Sequence, residues 1–383
     1  MFMRIVLFDD NPSALLPFTY LKPSWDVNAG GAILREWLAA QFPGTDVVAR
    51  PGAYAPQGLP IPHVALNGRL LPSHALAQLM KALMQGGSSV QYHDADGVIA
   101  CGSFMSEEGG TPRPLPEDVC LARGPWDIIM HLNATLAHAA EFRRRELHEI
   151  RPGVYAGAGV KIPDFVVTRT EKGSVVIGEG TTLGSYIVLE GPLLIGEGCV
   201  VRDQAVLARA SIGDVCKVGG EIEDSVIDTY SNKQHFGYLG HSMVGSWVNL
   251  GAGTTASDLK HTYGTVRVDR GSGKEETGMQ FCGSFLGDGV KTAINTSLMS
   301  GSVVGLNAFV FGTVTGFVPS FASLTRHGLV AMPFEVALTM RERMMARRGI
   351  TLSAQDRQAF ATAYARTAAE RIAHHAPEGA LRV

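Results

Sequence analysis

The chain reads as a small α/β layer followed by a β-solenoid and a pair of C-terminal helices, and three observations predict this. First, Ile177, Leu183, Leu189, Ile195, Val201 and Leu207 follow one another at six-residue intervals, separated by small or turn-forming residues as in VIGEGT and LIGEGC. A period of six fits neither an amphipathic helix nor a single strand. It fits three short faces per coil of a solenoid in which every sixth side chain points inward and each coil buries that face against its neighbours. Second, the chain has 45 glycines in 383 residues, as a turn every six residues requires. Third, before Gly110 short apolar strands alternate with helical patterns, which suggests a parallel sheet in an α/β layer.

The α/β layer is assigned to residues 1–125. It opens with a buried strand, Arg4 to Phe8, then a loop LLPFTYLKPSWDVNAGG and a helix from Ala32 to Phe42. Apolar segments follow at Asp46 to Val48 and His63 to Leu66, then a helix from Ser73 to Gln85 and strands near Ser89 to Tyr92 and Gly97 to Ala100. EEGGTPRPLPED is rich in glycine, proline and charge and reads as a linker or exposed loop. Residues 126–151 are expected to form a connecting helix, with Ile129, Leu132, Leu136, Ala139 and Leu147 mostly on one face. The solenoid is assigned to residues 152–325. Its beat slips near Ile212 and Val218, resumes around Val244 and Leu250, and returns at Leu298, Val304 and Val310. Between Asp258 and Met279 the rhythm lapses, so that polar segment is expected to project as a loop and wall a site. In residues 326–383, Phe334 to Arg348 reads as a basic helix stopped by Gly349, its arginines on a solvated face. Ser353 caps the next helix, with Asp356 at its third position.

Net charge is −3 at pH 7 with pI near 6.5, which gives no bulk reason to expect a nucleic-acid or membrane partner. No apolar stretch approaches the roughly 20 residues of a membrane span. The five cysteines are odd in number and scattered, as for reduced thiols in a cytoplasmic protein. One stretch concentrates reactive types: SNKQHFGYLGHSMVGSWVNLGAGTTA, from Ser231 to Ala256, places a histidine, a tyrosine, an asparagine and a glycine-rich turn at short spacings.

That stretch, with LLPFTYLKP, KVGGEIEDSV, SDLKHTYGTV, TGMQFCGSFLGD, INTSLMSGSVVG and VPSF, carries a resemblance over nearly the whole chain. The solenoid is similar to the acetyltransferase domain of the bacterial bifunctional enzyme that acetylates glucosamine-1-phosphate and then uridylylates it. The full chain resembles more closely the GlmU-like sugar nucleotidyltransferases. The resemblance implies a left-handed parallel β-helix of hexapeptide repeats, an exception to the usual crossover hand, a homotrimer, and acetyl-coenzyme A as co-substrate with a small-molecule sugar as acceptor.

Acetyl transfer to an amine needs a base, for which histidine is suited near neutral pH. By resemblance His235 stands at the position of the catalytic base, and Glu221, fourteen residues earlier, at that of the carboxylate that orients it. Tyr238 and Asn249 match residues that hold the sugar and the reacting amide. Ala252, with Gly253 beside it, and Ser284 match positions whose backbone approaches the coenzyme, and these turns could donate to the oxyanion. Arg202 aligns with an arginine gripping the sugar phosphate, and Arg326 could meet the coenzyme's phosphates. Glu223 stands where the relative has a phosphate-binding lysine, so Lys217 or Lys233 is the expected substitute.

The N-terminal part resembles a degenerate nucleotidyltransferase domain. LFDDNPSALLPFTYLKP lacks the glycines of a triphosphate loop, and only Lys22 and Pro23 match the end of that motif. ALNGRLLP offers Asn67 and Arg69 where an aspartate would hold magnesium. Asp9 and Asp10 lie on the correct edge, but no metal ligand set is assigned, and magnesium is expected only if the domain is an active nucleotidyltransferase. The expected function is acyl-coenzyme A dependent transfer to an amino sugar, sugar phosphate or nucleotide-sugar. The alternatives are a magnesium-dependent sugar-1-phosphate nucleotidyltransferase and a non-catalytic trimeric scaffold that binds sugar nucleotides.

Overall fold

The computed structural model describes residues 4–55, 58–59, 61–106 and 109–379 and divides into two compact units, Met1–Phe142 and Arg143–Val383. The first is an α/β unit. Strands β1 (Arg4–Asp9), β2 (Val47–Pro51), β3 (His63–Asn67), β4 (Val90–His93), β5 (Ile99–Phe104) and β6 (Thr111–Pro114) form one sheet in the order β2-β1-β3-β5-β4-β6. Strand β1 lies between β2 and β3, parallel to both, and its run Ile5–Phe8 is buried, as a continuous apolar strand flanked on both sides should be. Helices α1 (Leu34–Gln41) and α2 (His74–Gln85) follow the expected spans closely, the latter capped by Ser73, whose hydroxyl accepts from the Leu76 N–H.

The sheet is mixed rather than parallel. Strands β4 and β5 pair antiparallel because only a tight turn joins them, in which Asp94 accepts from the N–H groups of Asp96 and Val98. A parallel crossover needs about a dozen residues. The glycine- and proline-rich segment is not a linker: Thr111–Pro114 adds to the sheet as an exposed edge strand, where prolines are tolerated. Residues 126–151 are not one helix either. They form α3 (Pro125–Met130), α4 (Leu132–Arg143), a 3-10 turn at Arg144–Glu146 and strand β7 (His148–Arg151). Pro152 and Gly153, whose φ is +71°, turn β7 back against β8 (Val154–Ala156) in an antiparallel pair, a turn that favours this residue pair.

The second unit is the solenoid with its helices. A 10-stranded sheet runs from β7 to Phe317–Val318, and every pairing in it but that of β7 with β8 is parallel. A second face carries Val167–Arg169, Val188–Glu190, Val206–Ala208, Glu221–Glu223 and Tyr238–Gly240, and a third carries Thr182–Leu183, Val200–Val201, Lys217–Val218 and Asn232–Lys233. The hexad aliphatics meet in register: Ile177 over Ile195, Leu183 over Val201, Leu189 over Leu207. Each face is thus visited once in three hexads. The beat slips where coils shorten, since Ile212 pairs with Ile227 and Ile227 with Val244. The coils turn at residues in left-handed backbone conformation, among them Gln204, Arg209, Asp224, His241 and Trp247. That conformation costs a non-glycine residue about 1 kcal/mol, and stacking holds it here. Tyr230 and Trp247, both such corners, lie face to face with ring centroids 4.3 Å apart.

The segment after Asp258 does not project. It forms a hairpin, Arg267–Asp269 against Lys274–Glu276, with Val266 and Val268 buried, and lies back along the coils, where Gly271 faces the Phe317 ring and Gly301 faces Val266. Helices α5 (Phe334–Ala346), α6 (Ala354–Arg366) and α7 (Ala368–Ala373) close the chain. Phe334, Phe360, Tyr364 and Phe321 bind them to the last coils. Arg341 is not on a solvated face: it is buried, with its guanidinium 5.0 Å from the Phe360 ring centroid. No helix among the described residues is long and apolar enough to cross a membrane.

Candidate active site

The candidate residues lie on two solenoid faces and the corners flanking the second. On the third face Lys217 stacks on Asn232, Asn232 on Asn249, and Asn249 on Lys291. Asn232 Nδ2 donates to Asn249 Oδ1 at 3.3 Å, and Arg348, just past α5, donates to Asn232 Oδ1 at 2.9 Å. On the second face Glu221 lies under Tyr238 and Glu223 under Gly240. His235 and Phe236 stand on the corner between these faces, both exposed, Phe236 at 70%. Glycines surround this corner because the coils approach closely there. A Cβ on Gly220 would sit 2.7 Å from the His235 carbonyl oxygen, and one on Gly237 2.1 Å from that of Thr254.

The two expected lysines part ways. Lys217 remains half-buried on the outer ladder. Lys233 is stacked on Val218 at an inward position and is buried. Its Nζ donates to the carbonyls of Gly219 at 3.1 Å and His235 at 2.7 Å, and burial pushes its pKa down to about 8. It therefore clamps the His235 corner from within and cannot reach a sugar phosphate. Arg202, exposed, donates to Gln234 Oε1 at 2.7 Å, beside His235. Ala252 and Gly253 lie on the next coil of the same corner, where the Ala252 carbonyl accepts from Asn295 N–H and Gly253, at φ +74°, faces Asn295 and Phe236.

Two expectations are not met in the geometry. Among the described residues no hydrogen bond joins Glu221 to the His235 ring; Glu221 is paired across the strands with Tyr238. Ser284 is fully buried at the opposite corner, its N–H donating to Ser242 Oγ at 2.9 Å, away from Ala252 and Gly253. The sequence reading also missed His241, Asp258, Asp224 and Arg209. Asp258 Oδ2 accepts the Tyr238 hydroxyl at 2.8 Å and lies 2.8 Å from His241 Nδ1. Burial opposes ionisation of Asp258, yet the bonds from His241 and Tyr238 hold its carboxyl below the usual range. For Tyr238, burial and then Asp258 push the phenol upward. Arg209 grips Asp224 and Glu190. Glu223 is raised by burial, an effect that Arg209 offsets and Glu221 and Asp224 reinforce. The signal in the sequence was the coil length: Asp258 follows His241 by seventeen residues, just as His241 follows Asp224.

Farther along the second face, Thr255, Ser297 and Thr313 continue the row from Tyr238. Thr313 then lines a pocket of about 390 Å³ with Phe311, Leu324, Thr325, Arg326 and His327. Arg326 sits on the turn between Ala322–Thr325 and Gly328–Ala331, exposed, with Nε 3.0 Å from His327 Nε2. Three strand spacings separate Tyr238 from Thr313, about 14 Å.

The first unit has a polar cluster where a nucleotidyltransferase would bind magnesium. Asp9 is buried and accepts from Ser24 N–H and Oγ at 2.9 and 3.0 Å. Asp10 accepts from Arg69 Nη2 at 2.8 Å, and from Asn67 Nδ2 at 2.7 Å. Arg69 Nη1 in turn donates to the Ala122 carbonyl. A magnesium ion requires open carboxylate oxygens, and here the Arg69 guanidinium occupies those of Asp10 while Ser24 occupies those of Asp9. These residues do not fit the ion. A second cluster, His74, His138 and Glu141, brings its ligand atoms within 4.8 Å of one another. Trp37 donates to His138 Nε2 at 2.7 Å, so the neutral ring carries its proton on Nδ1, the nitrogen a metal would need.

A family model described as sugar nucleotidyl transferase matches residues 5–146. The chain is 32% identical over 148 residues to a bifunctional sugar-1-phosphate nucleotidylyltransferase/acetyltransferase of Sulfurisphaera tokodaii, covering 37% of this chain and 36% of that protein. It is 29% identical over 207 residues to the bifunctional protein GlmU of Heliobacterium modesticaldum, covering 44% and 40%, and 29% identical over 225 residues to that of Carboxydothermus hydrogenoformans, covering 47% and 46%. The chain thus spans less than half the length of these relatives. Among solved structures, a UDP-N-acetylglucosamine acyltransferase of Francisella novicida superimposes with a TM-score of 0.37 at 16% identity, over 54% of this chain and 74% of that one, a likeness too loose to bear on function. The match over the N-terminal unit and the bifunctional relatives near 30% identity together support a GlmU-like family for this chain.

Proposed function

We propose that this protein transfers an acyl group from acetyl-coenzyme A, or another acyl-coenzyme A, to an amino sugar, sugar phosphate or nucleotide-sugar. His235 takes the proton of the attacking group as that group adds to the thioester carbonyl. The C–S bond then breaks, the thiolate leaves and takes a proton, and no covalent enzyme intermediate forms. The observation that carries this reading is the His235 corner itself: an exposed imidazole beside the outward ladder of Lys217, Asn232 and Asn249. The Arg326 pocket, about 14 Å along the neighbouring face by strand spacing, suits the far end of an elongated, phosphate-bearing co-substrate. Exposed Phe236 and Ile294, at 70% and 69%, are apolar surface that a neighbouring subunit would cover, which supports a homotrimer with its sites between subunits. Five free cysteines support a reducing, cytoplasmic setting.

The nucleotidyltransferase alternative draws on the family-model match, and the Asp10–Arg69 pair speaks against it. The test is thiol release from acetyl-coenzyme A against a panel of amino sugars, their 1-phosphates and nucleotide-sugars, comparing wild type with His235→Ala. Turnover with at least one acceptor, reduced about 10²-fold or more in the variant, is the expected result. No thiol release from any acceptor would overturn the acyltransferase reading, and magnesium-dependent pyrophosphate release would replace it.

A further inference from the structure

Asp258 opens the inserted segment one coil above His241, and a single oxygen of its carboxylate, Oδ2, meets both Tyr238 Oη and His241 Nδ1 at 2.8 Å. The arrangement is built into the coil. A Cβ on Gly240 would fall 2.0 Å from Tyr238 Oη and 2.6 Å from Asp258 Oδ2, so only glycine there lets the phenol fold over its own strand onto the carboxylate. The Phe281 ring lies 5.5 Å from that of His241. Cys282 N–H donates to the Asp258 carbonyl and Gly283 N–H to that of His241, at 2.8 and 2.9 Å, which closes the hairpin stem on this corner.

An ionised carboxylate can only accept, so His241 donates through Nδ1 and the neutral ring carries its lone pair on Nε2. That nitrogen lies 3.8 Å from Asp224 Oδ2, whose carboxylate is held by Arg209. In the neutral ring Nε2 is thus an acceptor that faces the Asp224 carboxylate, itself already bonded to Arg209. Asp258, Asp224, Glu223, Arg209 and Tyr238 are the charged and titratable groups around the ring on its own and the adjacent coils.

We infer that Asp258 is a positioning residue of the acyl transfer proposed above, holding Tyr238 and His241 together so that His241 Nε2 and Asp224 receive an N–H or O–H donor of the acceptor sugar. The inference rests on that reading of the site. It gives Asp258 an orienting role toward His241, a different ring from the His235 that the resemblance pairs with Glu221, and it makes the hairpin stem part of acceptor recognition.

Two measurements test it. In protein labelled with 13C and 15N histidine, NMR is expected to show the proton of the neutral His241 ring on Nδ1. A neutral ring with its proton on Nε2 overturns the inference. In the thiol-release assay, Asp258→Asn and Tyr238→Phe are expected to lower kcat/KM for the acceptor about ten-fold or more, the scale of one lost charged hydrogen bond. KM for acetyl-coenzyme A should stay within about two-fold, and Asp258→Glu should recover part of the loss. A folded Asp258→Asn protein with unchanged acceptor kinetics reduces Asp258 to a pin for the hairpin and overturns the inference, while the transfer reaction stands. Absence of thiol release in the wild type removes the reaction and the inference with it, an outcome distinct from the previous one.

Discussion

The polar cluster of the N-terminal unit and that of the His235 corner have opposite hydrogen-bond economies. In the first, Asp9, Asp10, Asn67 and Arg69 are bonded to their own neighbours. In the second, His235 is exposed and Lys217 and Asn249 point outward, Asn249 accepting one weak bond from Asn232, while the buried Lys233 is engaged from behind. Carboxylates at the correct strand end do not make a metal site once a guanidinium from the same chain has closed on them. An exposed imidazole between two ladders keeps its bonding capacity for a ligand. Whether polar atoms are already satisfied separates the two regions better than residue type does.

The sharpest way to break this comparison is His235→Ala, expected to lower thiol-release turnover by about 10² to 10⁴-fold; a wild-type rate would place the open corner with the closed one. Next, Arg69→Ala strands the Asp10 carboxylate and should destabilise the N-terminal unit by about 3 kcal/mol in a denaturant titration, whereas added magnesium should leave the wild-type midpoint unchanged. A magnesium-induced rise would show that the cluster can open. A smaller effect comes from Lys233, whose pKa near 8 in the fold lies below the roughly 10.4 of an unfolded lysine. Between those values the unfolded chain binds more protons, so stability rises with pH by at most ~1.4 kcal/mol per unit from this group. Lys291, likewise lowered to about 8 by burial and then by Arg341, adds in the same direction. Lys233→Met should flatten the slope by its own share, read from midpoints at pH 7.5, 8.5 and 9.5; an unaltered slope would mean that Lys233 is not clamped inside. The smallest effect is expected of Lys217→Ala, a rise of a few-fold in acceptor KM with kcat kept, since it removes one half-exposed charge.

The solenoid was legible because its core is a one-dimensional pattern. Ile177, Leu189 and Leu207 recur at the step that brings side chains into one interior, and their stacking follows from that step. The N-terminal sheet was legible in its strands but not in their directions, since the antiparallel return of β5 depends on a turn at Asp94 to Gly97 and on partners distant in sequence. Lys233 was misread although the beat marks it: it stands six residues after Ile227 and six before Leu239, both in the core, and its charge alone argued for an outward position. Glu221 and Asp258 show a different limit at the site. The resemblance pointed to Glu221 beside His235, while the carboxylate bonded to an imidazole is Asp258, which arrives from the next coil and meets His241.

The sequence by itself determined the solenoid, its approximate extent, the histidine-bearing corner and the absence of a phosphate loop, because each is written in period or composition within a short window. Only the tertiary structure decided that Arg69 closes on Asp10, that the hairpin lies along the coils, and that Asp258 joins Tyr238 to His241. Each of these is a contact between segments that meet only when coils stack or strands pair, and hydrogen bonds of 2.7 to 3.2 Å are set by that three-dimensional register.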